Sequence, residues 1–204
     1  MLAAGPVIEC ASGESVTIKK TFTPGGQGCA YLVRRSRTGT PGVLKLFHDR
    51  FDRAETQRRL EYLIAQRLDR LCPVLIGPRD LVVGPSGVGY VAELFPGEPL
   101  EEVLSHPGLT IFHTLTLAVA LAHAVDALHS RGIAHGDLHG SNVLVAVAGD
   151  TLQPGIIDFD NFAGPRVSPP PMVGQILYIA PELRAALRDG RPAIPDLRSD
   201  RFAF

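Results

Sequence analysis

A-H-G-D-L-H-G-S-N-V-L-V, residues Ala134–Val145, places His135, Asp137 and Asn142 in the pattern H-x-D-x-x-x-x-N. The two glycines and the short polar run make it a loop rather than a helix. A carboxylate and an amide at this spacing on a loop suit phosphoryl transfer. The carboxylate can accept a hydrogen bond from an attacking hydroxyl, and the amide oxygen can hold a metal ion beside a polyphosphate. A second acid follows in Ile156-Ile157-Asp158-Phe159-Asp160, at the end of a predicted strand, where a further Mg²⁺ ligand is wanted.

These two phrases resemble the protein-kinase family, with H-G-D in place of H-R-D and D-F-D in place of D-F-G. The family resemblance extends in both directions. Upstream, Thr23-Pro24-Gly25-Gly26-Gln27-Gly28 is a glycine-rich turn between predicted strands Val16–Phe22 and Cys29–Arg35. Such a turn lets backbone N–H groups approach phosphate oxygens with no Cβ in the way. Gly25 and Gly28 match the second and third glycines of the kinase loop, with Gly26 between them, and Thr23 stands where the first would be. Lys45, between Leu44 and Leu46 on the next strand, resembles the lysine that contacts the α- and β-phosphates. Asp52 to Arg70 is helical by its leucine spacing, with Asp52 as N-cap. The family needs a glutamate on this helix to orient the lysine. Glu55 and Glu61 are the candidates, and Glu61, beside the apolar stripe, is the one chosen.

A second hairpin, Arg79–Gly84 and Val88–Leu94, leads into a segment resembling the hinge. The resemblance there implies adenine contacts near Glu93 and Phe95, with Ala92 at the back of the pocket. Pro99–Leu104 reads as a short helix. Ile111–Arg131 reads as a long helix, apolar nearly all round and therefore buried, with Gly132 after its end. Gly174-Gln175-Ile176-Leu177-Tyr178-Ile179-Ala180-Pro181-Glu182 resembles G-T-x-x-Y-x-A-P-E and points to a protein substrate. Asp200 matches an aspartate that braces the catalytic loop from below.

The resemblance therefore implies an α+β, bilobal kinase-like fold. Residues 1–15 are a loose lead-in, 16–95 a β-rich N-lobe with one main helix, and 96–204 a mainly helical C-lobe. The C-lobe is incomplete, as in a truncated gene product. In the implied chemistry Asp137 orients and deprotonates the hydroxyl, Asn142 and Asp158 hold Mg²⁺, and Lys45 grips the ATP phosphates. His139 stands where a lysine is usual, Gly136 where an arginine docks a phosphorylated activation loop, and Asp160 where D-F-G has its glycine. Two other readings are weighed. H-G-D-L-H is also similar to small-molecule phosphotransferases such as the aminoglycoside and choline kinases, and loss of the C-lobe helices would suit a nucleotide-binding pseudokinase. His135 and His139 lie at i, i+4, but a zinc pair at that spacing needs a helix.

Composition narrows the setting. The chain has 204 residues and a formal net charge of −1, so nothing argues for a nucleic-acid partner. Three widely spaced cysteines, Cys10, Cys29 and Cys72, fit reduced thiols in a cytoplasmic protein. Met1–Pro6 lacks the pattern of a signal peptide. The most apolar stretch, Leu115–Leu128, carries His123 and Asp126 and is too short to span a bilayer, so a soluble protein without membrane contact is expected. Substrate identity and oligomeric state leave no trace in the sequence.

Overall fold

The computed structural model describes residues 2–22, 24–149, 151–170 and 176–204. Thr23, Pro171 and the Gly174-Gln175 start of the segment before Tyr178 lie outside the described residues. The chain divides into two compact units, one of residues 1–67 and 77–94, the other of residues 68–76 and 95–204.

The first unit is an antiparallel sheet of β1 (Val7–Glu9), β2 (Ser15–Thr21), β3 (Gly28–Arg35), β4 (Pro41–Phe47), β5 (Asp80–Gly84) and β6 (Gly87–Glu93), in the order β1-β2-β3-β4-β6-β5. Period-two alternation sends Val16, Ile18, Tyr31, Val33, Leu44, Leu46 and Val91 to one buried layer. The opposite face carries Tyr90, Ala92, Val88 and Phe47, covered by Leu60 and Ile64 of α1 (Arg53–Ala65). Lys45 lies between Leu44 and Leu46 and directly opposite Tyr90, so it emerges on the α1 side of the sheet.

Two elements depart from the sequence reading. Residues 1–15 are not a loose lead-in. β1 pairs with β2, Cys10 is buried, and Glu14, only 3% exposed, receives the Arg35 guanidinium at 2.6 Å. A three-residue edge strand is too short to show a period, and that is why it was missed. Burial, with Asp80 nearby, pushes the Cys10 thiol up to about 12, far from a reactive thiolate. The helix expected over 52–70 is capped by Asp52 as predicted, its Oδ1 accepting the Glu55 N–H at 2.7 Å. It stops at Ala65, however. Arg67 takes a left-handed conformation (φ 52°), and a separate turn, α2 (Leu68–Leu71), follows in the second unit.

The second unit holds a small sheet of β7 (Glu98–Pro99), β8 (Val143–Ala148) and β9 (Thr151–Ile156), with α3 (Leu100–Leu104), α4 (Ile111–Ser130), α5 (Pro181–Arg188) and α6 (Leu197–Ala203). α4 opens on a capping box in which the Thr110 hydroxyl accepts the His113 N–H. Its Leu117, Leu121, Ala124, Val125 and Leu128 are buried. It is not buried all round, since Ile111, Phe112, Leu115 and Val119 are 75%, 73%, 58% and 57% exposed. Hydropathy reports composition, and here it does not report which side is covered. At 20 residues, with a mean hydropathy of 1.6 over its most apolar window, α4 is long and apolar enough to cross a membrane by length and composition alone. That corrects the shorter span read from the sequence, although its inner face packs within the second unit.

The Glu14–Arg35 pair makes one checkable consequence of the correction at the N-terminus. Arg35 holds the Glu14 carboxyl below the usual carboxylate range. Ionised Glu14 therefore stabilises the fold above its ordinary pKa, and that stabilisation is lost as pH falls through the depressed value. Glu14→Gln should lower the urea midpoint at pH 7, and the gap to the parent chain should close on acidification.

Candidate active site

α4 ends in a glycine turn, Gly132 at φ 68°, with the Gly132 and Ile133 N–H groups returning to the His129 and Leu128 carbonyls at 2.9 and 3.2 Å. Ile133 and Ala134 are buried, and Ala134 exchanges two backbone hydrogen bonds with Ala163, at 2.8 and 3.0 Å. The loop of interest begins there.

Its support is Asp200 of α6, which is 1% exposed. One carboxylate oxygen, Oδ2, accepts the His135 N–H at 2.7 Å and lies 3.1 Å from His129 Nε2, while Oδ1 accepts the Gly136 N–H at 2.9 Å. Asp200 thus braces the loop by two successive backbone donors, as the family resemblance implied. α6 is itself held by a capping box, Asp196 Oδ1 accepting the Arg198 and Ser199 N–H groups at 2.9 Å.

His135 is fully buried. Its Nε2 donates to the Ile157 carbonyl at 3.0 Å, its Nδ1 accepts the Asp137 N–H at 3.3 Å, and its ring lies 4.7 Å from that of Phe159. These partners fix the tautomer and occupy both ring nitrogens, so the imidazole has none left for a metal. It ties the Asp137 loop to the Asp158 segment.

Asp137 Oδ2 accepts the Asn161 side-chain amide at 3.1 Å, and Oδ1 lies 3.7 Å from His139 Nε2. Burial pushes the Asp137 carboxyl up, with Asp158 adding to the rise. His139, His135 and the Asn161 hydrogen bond oppose it. Gly136 has φ 82°, and a Cβ there would stand 2.2 Å from the Asn161 carbonyl oxygen. Glycine in H-G-D is therefore set by the approach of Asn161, the same residue that holds Asp137.

Asn142, 8% exposed, donates its side-chain N–H to the Asp137 carbonyl at 2.9 Å, which turns the amide oxygen the other way. The Asn142 carbonyl accepts the Ile157 N–H at 2.9 Å, bringing the residue before Asp158 against it. Asp158 adopts φ 62°, ψ 67°, a left-handed conformation that costs a non-glycine residue about 1–3 kcal/mol and marks functional backbone in many proteins. An amide oxygen fixed in direction and the Asp158 carboxylate are hard oxygen donors, and they fit a Mg²⁺ ion carried on phosphates. Asp160, where glycine was expected, is buried in a single 3-10 turn, Phe159–Asn161.

In the first unit the glycine loop is tethered by residues that sequence reasoning missed. The Gly25 N–H bonds the Gly28 carbonyl at 3.0 Å, His48 Nε2 lies 3.1 Å from the Gly25 carbonyl, and the Arg50 guanidinium donates to the Gly26 carbonyl. Gly28 has a packing reason to be glycine, because a Cβ there would meet the Leu46 carbonyl at 2.3 Å. Glu61 does not orient Lys45. It is exposed, and its Oε1 accepts the Gln57 amide at 2.8 Å. Glu55 pairs with Arg58 instead. The buried face of α1 is Thr56, Arg59, Leu60 and Leu63, with no acid. The unexpected break at Arg67 interrupts the leucine stripe, so a phase taken over 52–70 puts Glu61 on the wrong side. Glu93 ends β6, where its side chain pairs with Arg79 at 2.7 Å, and Ala92 is buried beside it. Phe95, in the second unit, lays its ring on Gly155, where a Cβ would come within 2.9 Å. Asn161 was also missed. Its only signal is an amide directly after D-F-D.

Comparison with known proteins agrees with this geometry. Residues 16–192 match the family model described as the protein kinase domain. The serine/threonine-protein kinase PkaA of Streptomyces coelicolor is 32% identical over 128 residues, 59% of this chain and 22% of that protein. Serine/threonine-protein kinase PknA of Mycobacterium tuberculosis is 33% identical over 108 residues, 50% of this chain and 24% of that protein. The chain thus spans under a quarter of the length of either relative. Among solved structures, the Mycobacterium tuberculosis PknI kinase domain matches all of this chain and 74% of its own, with TM-score 0.67 and 23% identity. Vaccinia related kinase 3 matches with TM-score 0.68 and 19% identity, over 100% of this chain and 66% of its own. These two likenesses concern the fold.

The raised carboxyl of Asp137 sets a stability prediction. Its folded pKa lies above the unfolded one, so the native state binds more protons and stability falls as pH rises through that window. Asp137→Asn keeps an oxygen to accept from Asn161 and removes a half-buried charge. The variant should melt above the parent at pH 7, and the advantage should vanish below the ordinary carboxylate pKa. A variant less stable at pH 7 would contradict it.

Proposed function

The chain belongs to the protein kinase family, and on that premise we propose that it transfers the γ-phosphoryl group of ATP to a serine or threonine hydroxyl of a protein. The observation that carries this reading is the pairing of Asp137 and Asn142 on a loop braced by Asp200 and bonded through Asn142 and His135 to the Asp158 segment.

The division of labour follows from the groups in place. Asp137, steadied by Asn161, accepts a hydrogen bond from the incoming hydroxyl and takes its proton as transfer proceeds; a carboxyl raised by burial is better matched to that task than an exposed one. Asn142 and Asp158 would hold Mg²⁺, which when bound neutralises charge on the phosphates. His139, whose Nε2 lies 3.7 Å from Asp137 Oδ1, would act as a hydrogen-bond donor toward the transferring group. Lys45 and the loop carrying Gly25, Gly26 and Gly28 are the phosphate-binding candidates of the first unit. Little covalent chemistry is asked of the protein, so position and charge carry the rate. A protein acceptor is favoured by the serine/threonine kinase relatives and by the Y-x-A-P-E segment at Tyr178–Glu182.

A second reading, nucleotide binding without transfer, draws on one observation: α1 presents no acid on its buried face. The assay that separates the two is label transfer from γ-labelled ATP with Mg²⁺ to a general protein acceptor, read by mass. Label on serine or threonine, lost in Asp137→Asn while nucleotide affinity changes by less than about threefold, is the expected result. Transfer that survives Asp137→Asn would overturn the proposed role, and binding with no transfer in the parent chain would establish the second reading.

A further inference from the structure

Three successive carbonyls of the glycine loop are held by one short segment of the same unit. That segment joins β4, which ends at Phe47, to α1, whose cap is Asp52, and the Phe51 N–H closes it on the His48 carbonyl at 3.1 Å. From it, His48 Nε2 reaches the Gly25 carbonyl oxygen at 3.1 Å, and since that oxygen can only accept, the ring nitrogen is the donor. The Arg50 guanidinium donates to the Gly26 carbonyl, and the His48 backbone N–H donates to the Gln27 carbonyl at 3.0 Å.

Phosphate binding calls on the N–H groups of such a loop, not on its carbonyls. In a planar trans peptide the N–H points opposite to the carbonyl it shares. Carbonyls of Gly25, Gly26 and Gln27 drawn toward His48 and Arg50 therefore turn the N–H groups of Gly26, Gln27 and Gly28 to the other side. That is a row of backbone donors of the kind that cradles an anion. The segment doing the pulling has its own anchor. The Arg50 guanidinium lies 5.1 Å from the centre of the Phe51 ring, which meets Phe47 edge-on at 6.2 Å, and Phe47 packs 6.3 Å from Tyr90. Phe47 stands two residues after Lys45 on β4, on the same face of the sheet, and Tyr90 is the residue opposite Lys45. One chain of contacts thus runs from the glycine loop to the strand that carries the phosphate-binding lysine.

We propose that His48 and Arg50 are positioning residues, a clasp that holds the glycine loop with its N–H groups turned toward the nucleotide phosphates. The proposal rests on the reading that this loop and Lys45 bind those phosphates. Neither residue touches the nucleotide itself. Their part is to fix the loop before the nucleotide arrives, so that its ordering is not charged against binding.

The test uses the full chain as His48→Ala, Arg50→Ala, the two combined, and His48→Gln, which keeps a side-chain donor. Affinity is measured with Mg²⁺ for ATP and for adenosine, which lacks the phosphates, and the amide NMR signals of Gly26, Gln27 and Gly28 are recorded without nucleotide. Expected in each alanine variant are displaced loop signals and ATP binding weaker by roughly tenfold, with adenosine binding changed by less than about twofold. The combined variant should lose less than the product of the two single losses, because both residues hold one loop. His48→Gln should recover most of the affinity. Unchanged ATP binding, or ATP and adenosine weakened alike, overturns the clasp. If the variants behave as expected but the parent transfers no label from γ-labelled ATP, the clasp stands and the transferase reading fails.

Discussion

The Asp200 carboxylate, buried and accepting the N–H groups of His135 and Gly136 in succession, is the interaction on which the candidate site depends. Consecutive backbone amides point the same way only where the chain turns sharply, and here the turn uses the positive φ of Gly136. A buried carboxylate demands several donors, and the two amides with His129 supply them. The turn fixes the starting direction of every residue after it. Asp137, His139 and Asn142 inherit their places from that constraint rather than from local propensity.

A second constraint couples the two motifs. Asn161 crowds Gly136 with its carbonyl and holds Asp137 with its amide, so the glycine of H-G-D and the asparagine after D-F-D form one arrangement. An arginine in place of Gly136 would have to displace Asn161, and Asp137 would lose its hydrogen bond. The buried His135 makes the same connection from the other side, through Ile157 and Phe159. Departures from the family pattern at these positions are therefore one linked change, not separate losses. Function and local geometry meet there at some cost, since Asp158 keeps a left-handed backbone without being glycine.

Much of this was legible in the residues. Alternation gave β2, flanking turns gave β3, β4 and β6, and the run of Asp137, Asn142 and Asp158 marked the site because each side chain is short, polar and locally placed. Asp52 was readable as a cap and Gly132 as a helix end. What was not legible depends on long-range register. β1 is too short for a period. The left-handed Arg67 breaks a leucine pattern that otherwise continues, and with it went the assignment of Glu61. The long α4 announces its hydrophobicity but not its uncovered side. Asn161, His48 and Arg50 act through contacts that only the folded chain makes, and no spacing rule reaches them.

The central claim is that Asn142 and Asp158 converge on a nucleotide-bound cation beside Asp137. Paramagnetic broadening by Mn²⁺ carried on ATP, read on the assigned amide signals of the full chain, tests it most directly. The account predicts selective broadening at Asn142, Asp158 and their neighbours in the catalytic loop, abolished by Asp158→Ala and absent with Mn²⁺-free ATP. Broadening centred elsewhere, or unchanged in Asp158→Ala, would contradict it.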